Sequence, residues 1–485
     1  MPELDDALRR LLPLTAAVDG NGHLTVGGCD TVELAREFGT PLYVFDEEDL
    51  RARCQEFRRE FEARYPDVAI VYAAKAYLGR ALASLVAEEG LGLDVVSGGE
   101  LACARAAGFP LERVYFHGNN KSAQEVREAL TAGVGRVVVD NFRELVLVSD
   151  AAASLGRRQP VLLRVTPGVD PHTHAYVSTG AVDSKFGFPL VGGRAEEALV
   201  QALASPGLEV MGLHYHLGSQ IAEIEPYGKA AEVVLEFAGR MKKRHGLELR
   251  EYSVGGGIAV PYTRDAETPA VAAYADTIVG ALQEGCRRHS LPPPRLTVEP
   301  GRAIVARAGV ALYTVGVTKE VPGVRTYVAV DGGMADNIRP ALYGARYEAL
   351  AANRMLDAPQ EKVTVAGRYC ESGDVLVREA ALPRLWAGDI LALPVSGAYC
   401  LAMASNYNWA LRPAVVMVRE GHARLVRRRE TYDDLLACEV PQSGQPEMRP
   451  AGTEAGRASR GTSAAKASAR RPAADARSGP PGGRA

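Results

Sequence analysis

The sequence has no excess of charge, no long apolar run and no paired-cysteine motif, and each absence removes a class of function. With 56 Lys and Arg against 59 Asp and Glu the formal charge is −3, which gives no electrostatic pull toward nucleic acid or an anionic membrane. No stretch approaches the run of about 20 apolar residues that spans a bilayer. The opening MPELDDALRRLLPLT carries acids where a secretory signal carries positive charge, so a cytoplasmic protein with a small-molecule partner is expected. The cysteines at 29, 54, 103, 286, 370, 400 and 438 form no C-x-x-C pair, and an odd, scattered set fits reduced thiols. Pro441 to Ala485 contains no aromatic residue and no Leu, Ile or Val, and holds eight basic and three acidic residues. Such a composition predicts a disordered, solvated tail.

What is present is a long alternation of strands and helices. A chain of 485 residues exceeds the roughly 250–300 at which one hydrophobic core stops growing, so two domains are expected. Apolar, β-branched runs recur at 68–74, 93–97, 113–117, 136–140, 161–165, 210–216, 252–256 and 295–299. Stretches of helical period separate most of them, such as GRALASLVAEEG, SAQEVREAL and YGKAAEVVLEFAGRMKK. This reads as a (β/α)8 TIM-type barrel over 46–305. An open doubly wound sheet uses the same alternation. The barrel is preferred because polar residues end the runs: Lys75, Asp94 with Ser97, His117, Asp140, Arg164, His216, Gly255 to Gly257 and Glu299. In a closed barrel those ends meet at one mouth. From 306 to 440 short alternating segments such as RTYVAV, EKVTVAG and DILALP predict a separate C-terminal β domain. The segment 1–45 is expected to pair with it.

Lys75 ends the apolar run VAIVYAA. It is read as a surface charge, a phosphate ligand or a Schiff-base former, and desolvation is expected to lower its pKa and make it a better nucleophile. Gly255, Gly256 and Gly257 follow the seventh strand, where freed N–H groups can cradle a phosphate or simply reverse the chain. EPGR at 299–302 sets an acid and an arginine beside the last strand. HYH at 214–216 raises a rival metal site with Asp94 and Glu299, whereas His216 alone could lie flat on an aromatic cofactor. Lysine, phosphate cradle, acid and flat histidine together describe pyridoxal 5'-phosphate.

The motifs YAAKAY, DVVSGGEL, HGNNKS, GLHYHLGSQI, VGGGIAVPY, EPGR, DGGMADNIRPALYGARY, CESGD and GAYCLAMASNYN appear in the order found in the barrel-type pyridoxal-phosphate decarboxylases. From about residue 20 to about 435 the chain resembles, within them, the diaminopimelate decarboxylase family. The resemblance makes Lys75 the Schiff-base lysine and sets His216 on the cofactor ring and Glu299 at its nitrogen. Asp94, His117, Ser219, Gly257, Gly301, Arg302 and Tyr399 line the cofactor. It gives Arg302, Arg339, Tyr343 and Tyr399 to the substrate, with Glu371 and Ser372 at its distal amine. Cys370 or Lys75 returns the proton to Cα after CO2 leaves. The resemblance further implies that Cys370 and its neighbours enter from a second subunit of an obligate homodimer, with meso-diaminopimelate as substrate and no metal.

Three positions depart from the family pattern: Tyr77 in place of asparagine, Arg368 in place of proline, and Cys400 in place of glycine. The alternatives are a decarboxylase of ornithine, arginine or carboxynorspermidine, against which the glutamate of CESGD argues, a catalytically dead relative, and a metal-dependent barrel hydrolase.

Overall fold

The computed structural model describes residues 4–169 and 184–440, so the tail expected from residue 441 lies outside the described residues. Residues up to Thr431 form one compact unit, and the short helix Tyr432–Leu436 belongs to another.

Eight parallel strands close on themselves: Val68–Ala73, Gly92–Val95, Val114–Phe116, Arg136–Val139, Gln159–Thr166, Leu208–His214, Glu251–Ser253 and Arg295–Val298. The last pairs with the first, Leu296 opposite Val68 and Val298 opposite Ile70. That closure decides for the barrel and against the open sheet. Helices return the chain between strands, and their buried faces follow the 3.6-residue period. Glu225–His245 buries Tyr227, Ala230, Ala231, Val234, Leu235, Ala238 and Met241 against the barrel side and stops at Gly246, whose φ of 71° continues no helix. Each fully buried Leu or Val contributes about 1.5–3 kcal/mol.

Inside the barrel, Val71, Tyr115, Val138 and Leu162 pack together. Beneath them the Glu251 carboxylate accepts from Tyr115 Oη at 2.7 Å, Arg136 Nε at 2.7 Å and Thr297 Oγ1 at 3.0 Å. The floor is a satisfied polar network. The opposite end stays open.

The second sheet is built around Gly309–Val321, which pairs antiparallel with Arg325–Val330, Ile390–Leu393 and Leu42–Asp46. Ala414–Arg419 runs parallel along the far side of Leu42–Asp46. Chain from before and after the barrel therefore shares one sheet. Among the described residues of the N-terminal segment only Leu42–Asp46 joins it, because Ala17–Val18, Leu24–Val26 and Cys29–Asp30 form a small sheet of their own. The loop after Ile390–Leu393 brings Tyr399 to the barrel mouth, where its N–H donates to the Ala76 carbonyl at 2.7 Å.

Candidate active site

The first barrel strand ends at Ala73, and a single 3-10 turn, Ala74–Ala76, follows. The turn buries both alanines and aims Lys75 between them into a cavity of 850 Å³ at the barrel mouth. Lys75 Nζ donates to Asp94 Oδ2 at 3.1 Å. Burial opposes the charge, but Asp94, then Tyr399 and Glu299, outweigh it and raise the Lys75 pKa above its ordinary value. The expected lowering is thus corrected: the side chain is 41% exposed to the cavity, so neighbouring anions count for more than desolvation. Lys121 shows the contrast. It too is buried, yet it donates to the Gly118 and Val138 carbonyls at 2.7 Å and to Glu144 at 2.9 Å. Its donors are spent on structure, and it does not line the cavity.

Glu299 follows the last barrel strand, beside the first. Its carboxylate accepts from Ser253 Oγ at 2.8 Å and meets His214 Nε2 at 3.1 Å, with His117 Nε2 at 3.5 Å. Burial pushes its pKa up, but the two imidazoles win and hold it well below the usual carboxylate range. Burial also keeps His214 neutral down to about 4. His117, His214 and Glu299 bring metal-capable atoms within 4.8 Å of one another. The metal reading built on the HYH pair is altered by this, since His216 is not in the cluster.

His216 lines the cavity, and its Nδ1 accepts from the Gly256 N–H at 3.2 Å. An accepting Nδ1 leaves the proton of the neutral ring on Nε2. Burial first, then Lys75 and Arg164, lowers the pKa of this imidazole well below its ordinary value. Gly255 has φ +69°, and a Cβ there would come 2.6 Å from His216 Nδ1. A Cβ on Gly256 would come 2.1 Å from the Glu299 carbonyl. These two glycines are packing positions that let His216 and Glu299 close up, and Gly257 and Gly301 are the ones that line the cavity.

Two buried arginines face the same space. Arg302 donates to Tyr262 Oη at 2.6 Å and to Ser219 Oγ at 2.8 Å, with its guanidinium 4.7 Å from the Tyr399 ring. Arg339 lies 4.6 Å over the Tyr262 ring and donates to Tyr347 Oη. The Nε of each guanidinium is buried and has no partner. Two cations held over one phenol ring, each with a donor unspent, make a clamp for an anionic group. Tyr343 lines the cavity beside them.

The structure does not bring Cys370, Glu371 or Ser372 to this cavity. All three are exposed, and Cys370 N–H donates to Asn408 Oδ1 at 3.2 Å. Asp94 stands behind Lys75. The sequence reading gave no role to Tyr262 or Tyr347, and placed Arg164 at the barrel mouth without a role in the site. Arg164, at the end of the fifth strand, lines the cavity and lies 4.4 Å over the Phe186 ring. Its signal was the one that exposed Lys75, a cation closing an apolar run. Tyr262 and Tyr347 carry none, because their value lies in contacts with arginines far away in sequence.

Of the three departures, Tyr77 stacks on Phe45 with centroids 4.9 Å apart, away from the cavity. Cys400 is buried with Sγ 3.3 Å from Tyr347 Oη. Nothing in the structure explains Arg368.

Comparison with known proteins agrees with this geometry. The family described as "Pyridoxal-dependent decarboxylase, pyridoxal binding domain" matches residues 47–306. The diaminopimelate decarboxylase of Bacillus subtilis (strain 168) is 47% identical over 427 residues, covering 88% of this chain and 97% of that protein. That of Actinosynnema pretiosum subsp. auranticum is 48% identical over 432 residues, covering 89% and 95%. The solved diaminopimelate decarboxylase from M. jannaschii in co-complex with L-lysine aligns with a TM-score of 0.82 at 35% identity, covering 88% and 98%. A closed barrel whose first strand delivers Lys75 and whose last delivers Glu299 is thus joined to identity along most of the chain, and the chain belongs to the diaminopimelate decarboxylase family of pyridoxal-dependent decarboxylases.

Proposed function

We propose that the chain decarboxylates meso-diaminopimelate to L-lysine and CO2 with pyridoxal phosphate, the last step in making lysine. The observation that carries this is the pairing of the first and last barrel strands, which sets the amine of Lys75 and the carboxylate of Glu299 on neighbouring strand ends over one cavity. The donor set fits the cofactor. Lys75, His117, His216, Ser219, Glu299 and Arg302 line a space whose walls at Gly257 and Gly301 carry no side chains.

When bound, pyridoxal phosphate supplies an aldehyde for covalent attachment and a ring that accepts the electron pair CO2 leaves behind. Lys75 offers the amine, which must first lose a proton, and Asp94 is placed to take it. Glu299, kept ionised and oriented by Ser253 and His214, would hold a proton at the ring nitrogen. His216 would lie against the ring. Ser219, Gly257, Gly301 and Tyr399 would hold the phosphate. Arg302, Arg339 and Tyr343 bind the distal carboxylate, and Tyr262 and Tyr347 hold the guanidiniums in place. Glu371 and Ser372 would take the distal amine, and Cys370 or Lys75 would return the proton to Cα.

The exposure of residues 370–372 in their own chain supports a homodimer in which a second copy inserts them. We read the chain as segment 1–45, barrel 46–305, β domain 306–440 and tail 441–485, acting in the cytoplasm without nucleic acid or membrane. Among the described residues no helix is long and apolar enough to cross a membrane.

Purified protein incubated with pyridoxal phosphate should be yellow, lose that colour irreversibly to borohydride, carry the label on Lys75 by peptide mass spectrometry, and release lysine from meso-diaminopimelate. A label on any other lysine, or faster turnover of ornithine than of meso-diaminopimelate, overturns the reading.

A further inference from the structure

A second cavity, of 210 Å³, is walled in part by residues 77–82, just beyond Lys75 in the chain, and is not used by the chemistry above. Its walls include Phe45, Leu50, Val415 and Met417, with Tyr77, Arg80 and Arg427 as the polar side chains. Tyr77 is 6% exposed, and its ring is held by stacking on Phe45 at an interplanar angle of 11°. Its carbonyl accepts from Tyr72 Oη at 2.6 Å, and the side chain lines the cavity. A hydroxyl at the wall of a largely apolar cavity offers a ligand a hydrogen bond.

Helix Arg80–Glu88 begins at the same cavity. Its N-cap is Gly79, no side chain caps its first N–H groups, and residues 79 to 82 form part of the wall. A Cβ on Gly79 would lie 3.3 Å from Tyr77 Oη, so the hydroxyl stands over the helix N-terminus. Arg427 lines the same cavity as Tyr77, and burial raises the Tyr77 pKa to about 12, against a lowering by Arg427. Arg427 is 3.5 Å from Glu430, whose carboxylate also serves Arg412 and Asn406, so its charge is only partly spent. Uncapped amides, the Tyr77 phenol and the arginines Arg80 and Arg427 share a wall in which, among the described residues, no Asp or Glu stands. That combination selects an anion and gives an ammonium no partner.

We propose that this cavity binds a small organic monocarboxylate with an apolar body, its carboxylate at the Arg80–Glu88 N-terminus, Tyr77 and Arg427, and its body against Phe45, Leu50, Val415 and Met417. The apolar walls disfavour inorganic phosphate, and the lack of an acid disfavours amino acids. Tyr77 lies two residues beyond Lys75, and the intervening Ala76 carbonyl accepts the Tyr399 N–H.

The test is calorimetric titration of holoenzyme with benzoate, benzamide and inorganic phosphate, repeated with L-lysine at saturation. Benzoate should bind saturably and about tenfold or more tighter than its neutral isostere or phosphate, and L-lysine should not displace it. Tyr77→Phe, which keeps the stack, and Arg427→Leu should each weaken benzoate by roughly threefold to tenfold. Both variants should retain the wild-type melting temperature and cofactor absorbance. Four results overturn the proposal: no saturable benzoate binding, benzamide binding as tightly as benzoate, displacement by L-lysine, or folded variants that bind benzoate like wild type.

Discussion

Lys75 Nζ lies 3.1 Å from Asp94 Oδ2, and the pair keeps the attaching amine protonated in the cofactor-free chain. The lysine has to shed that proton before its lone pair can bond to an aldehyde. In Asp94→Asn the anion that first counters burial is gone, so the Lys75 pKa should fall. The rate of pyridoxal phosphate attachment to the cofactor-free protein, followed by absorbance, should then reach half its maximum at a pH lower by about one unit or more. An unchanged pH profile would show that Asp94 does not hold the proton there.

Tyr262 separates Arg302 from Arg339, accepting from one at 2.6 Å and lying under the other at 4.6 Å. Tyr262→Phe keeps the ring but strands a buried guanidinium donor, a loss of about 1–3 kcal/mol. It should raise KM for meso-diaminopimelate by roughly tenfold or more while changing kcat less, the pattern expected of lost substrate positioning. Tyr262→Leu removes the ring as well and should do worse. If instead kcat falls and KM stays, the clamp reading fails.

The barrel was legible because its strands are buried on both faces, so each appears as an unbroken apolar run, and Lys75, His216 and Glu299 appear as interruptions at the ends. Periodicity and interruption are local signals, and they carried the catalytic groups. The sheet contributed by Leu42–Asp46 and Ala414–Arg419 is a long-range pairing, and the strand His422–Arg427, exposed and rich in arginine, has no apolar pattern to betray it. The sign of the Lys75 shift was missed for a related reason. Desolvation can be read from the apolar residues before it, whereas Asp94 and Glu299 reach it only through closure of the barrel. Tyr262 and Tyr347 were invisible because two arginines remote in sequence give them their meaning.

The neutral buried imidazoles fix a sign for acid stability. Burial lowers the pKa of His214 to about 4 and that of His216 well below its ordinary value. The unfolded chain therefore binds protons near pH 6.5 that the folded chain refuses, and stability present above that pH is lost as pH falls from about 6.5 toward about 4. Each imidazole contributes up to ~1.4 kcal/mol per pH unit in the window where only the unfolded state is protonated. Urea midpoints of the cofactor-free protein should drop between pH 7 and pH 5. His216→Asn should reduce that slope by about one proton. A slope unchanged by the substitution would mean that His216 is not held neutral by the fold.

Lys75 faces the cavity while Cys370 and Glu371 are exposed elsewhere in the same chain, and this separation makes the shared site testable. If each site draws Lys75 from one copy and Glu371 from the other, Lys75→Ala and Glu371→Ala homodimers each lack an intact site, and both should be nearly inactive. Unfolded and refolded together in equal amounts, they form mixed dimers in about half the assemblies. Each mixed dimer has one site with both defects and one with neither. Roughly a quarter of all sites are then intact, and the mixture should recover about that share of wild-type activity toward meso-diaminopimelate. Wild-type chains carried through the same treatment set the scale. A mixture as inactive as its components, beside wild type that refolds, would place the whole site within one chain and leave the dimer no catalytic part.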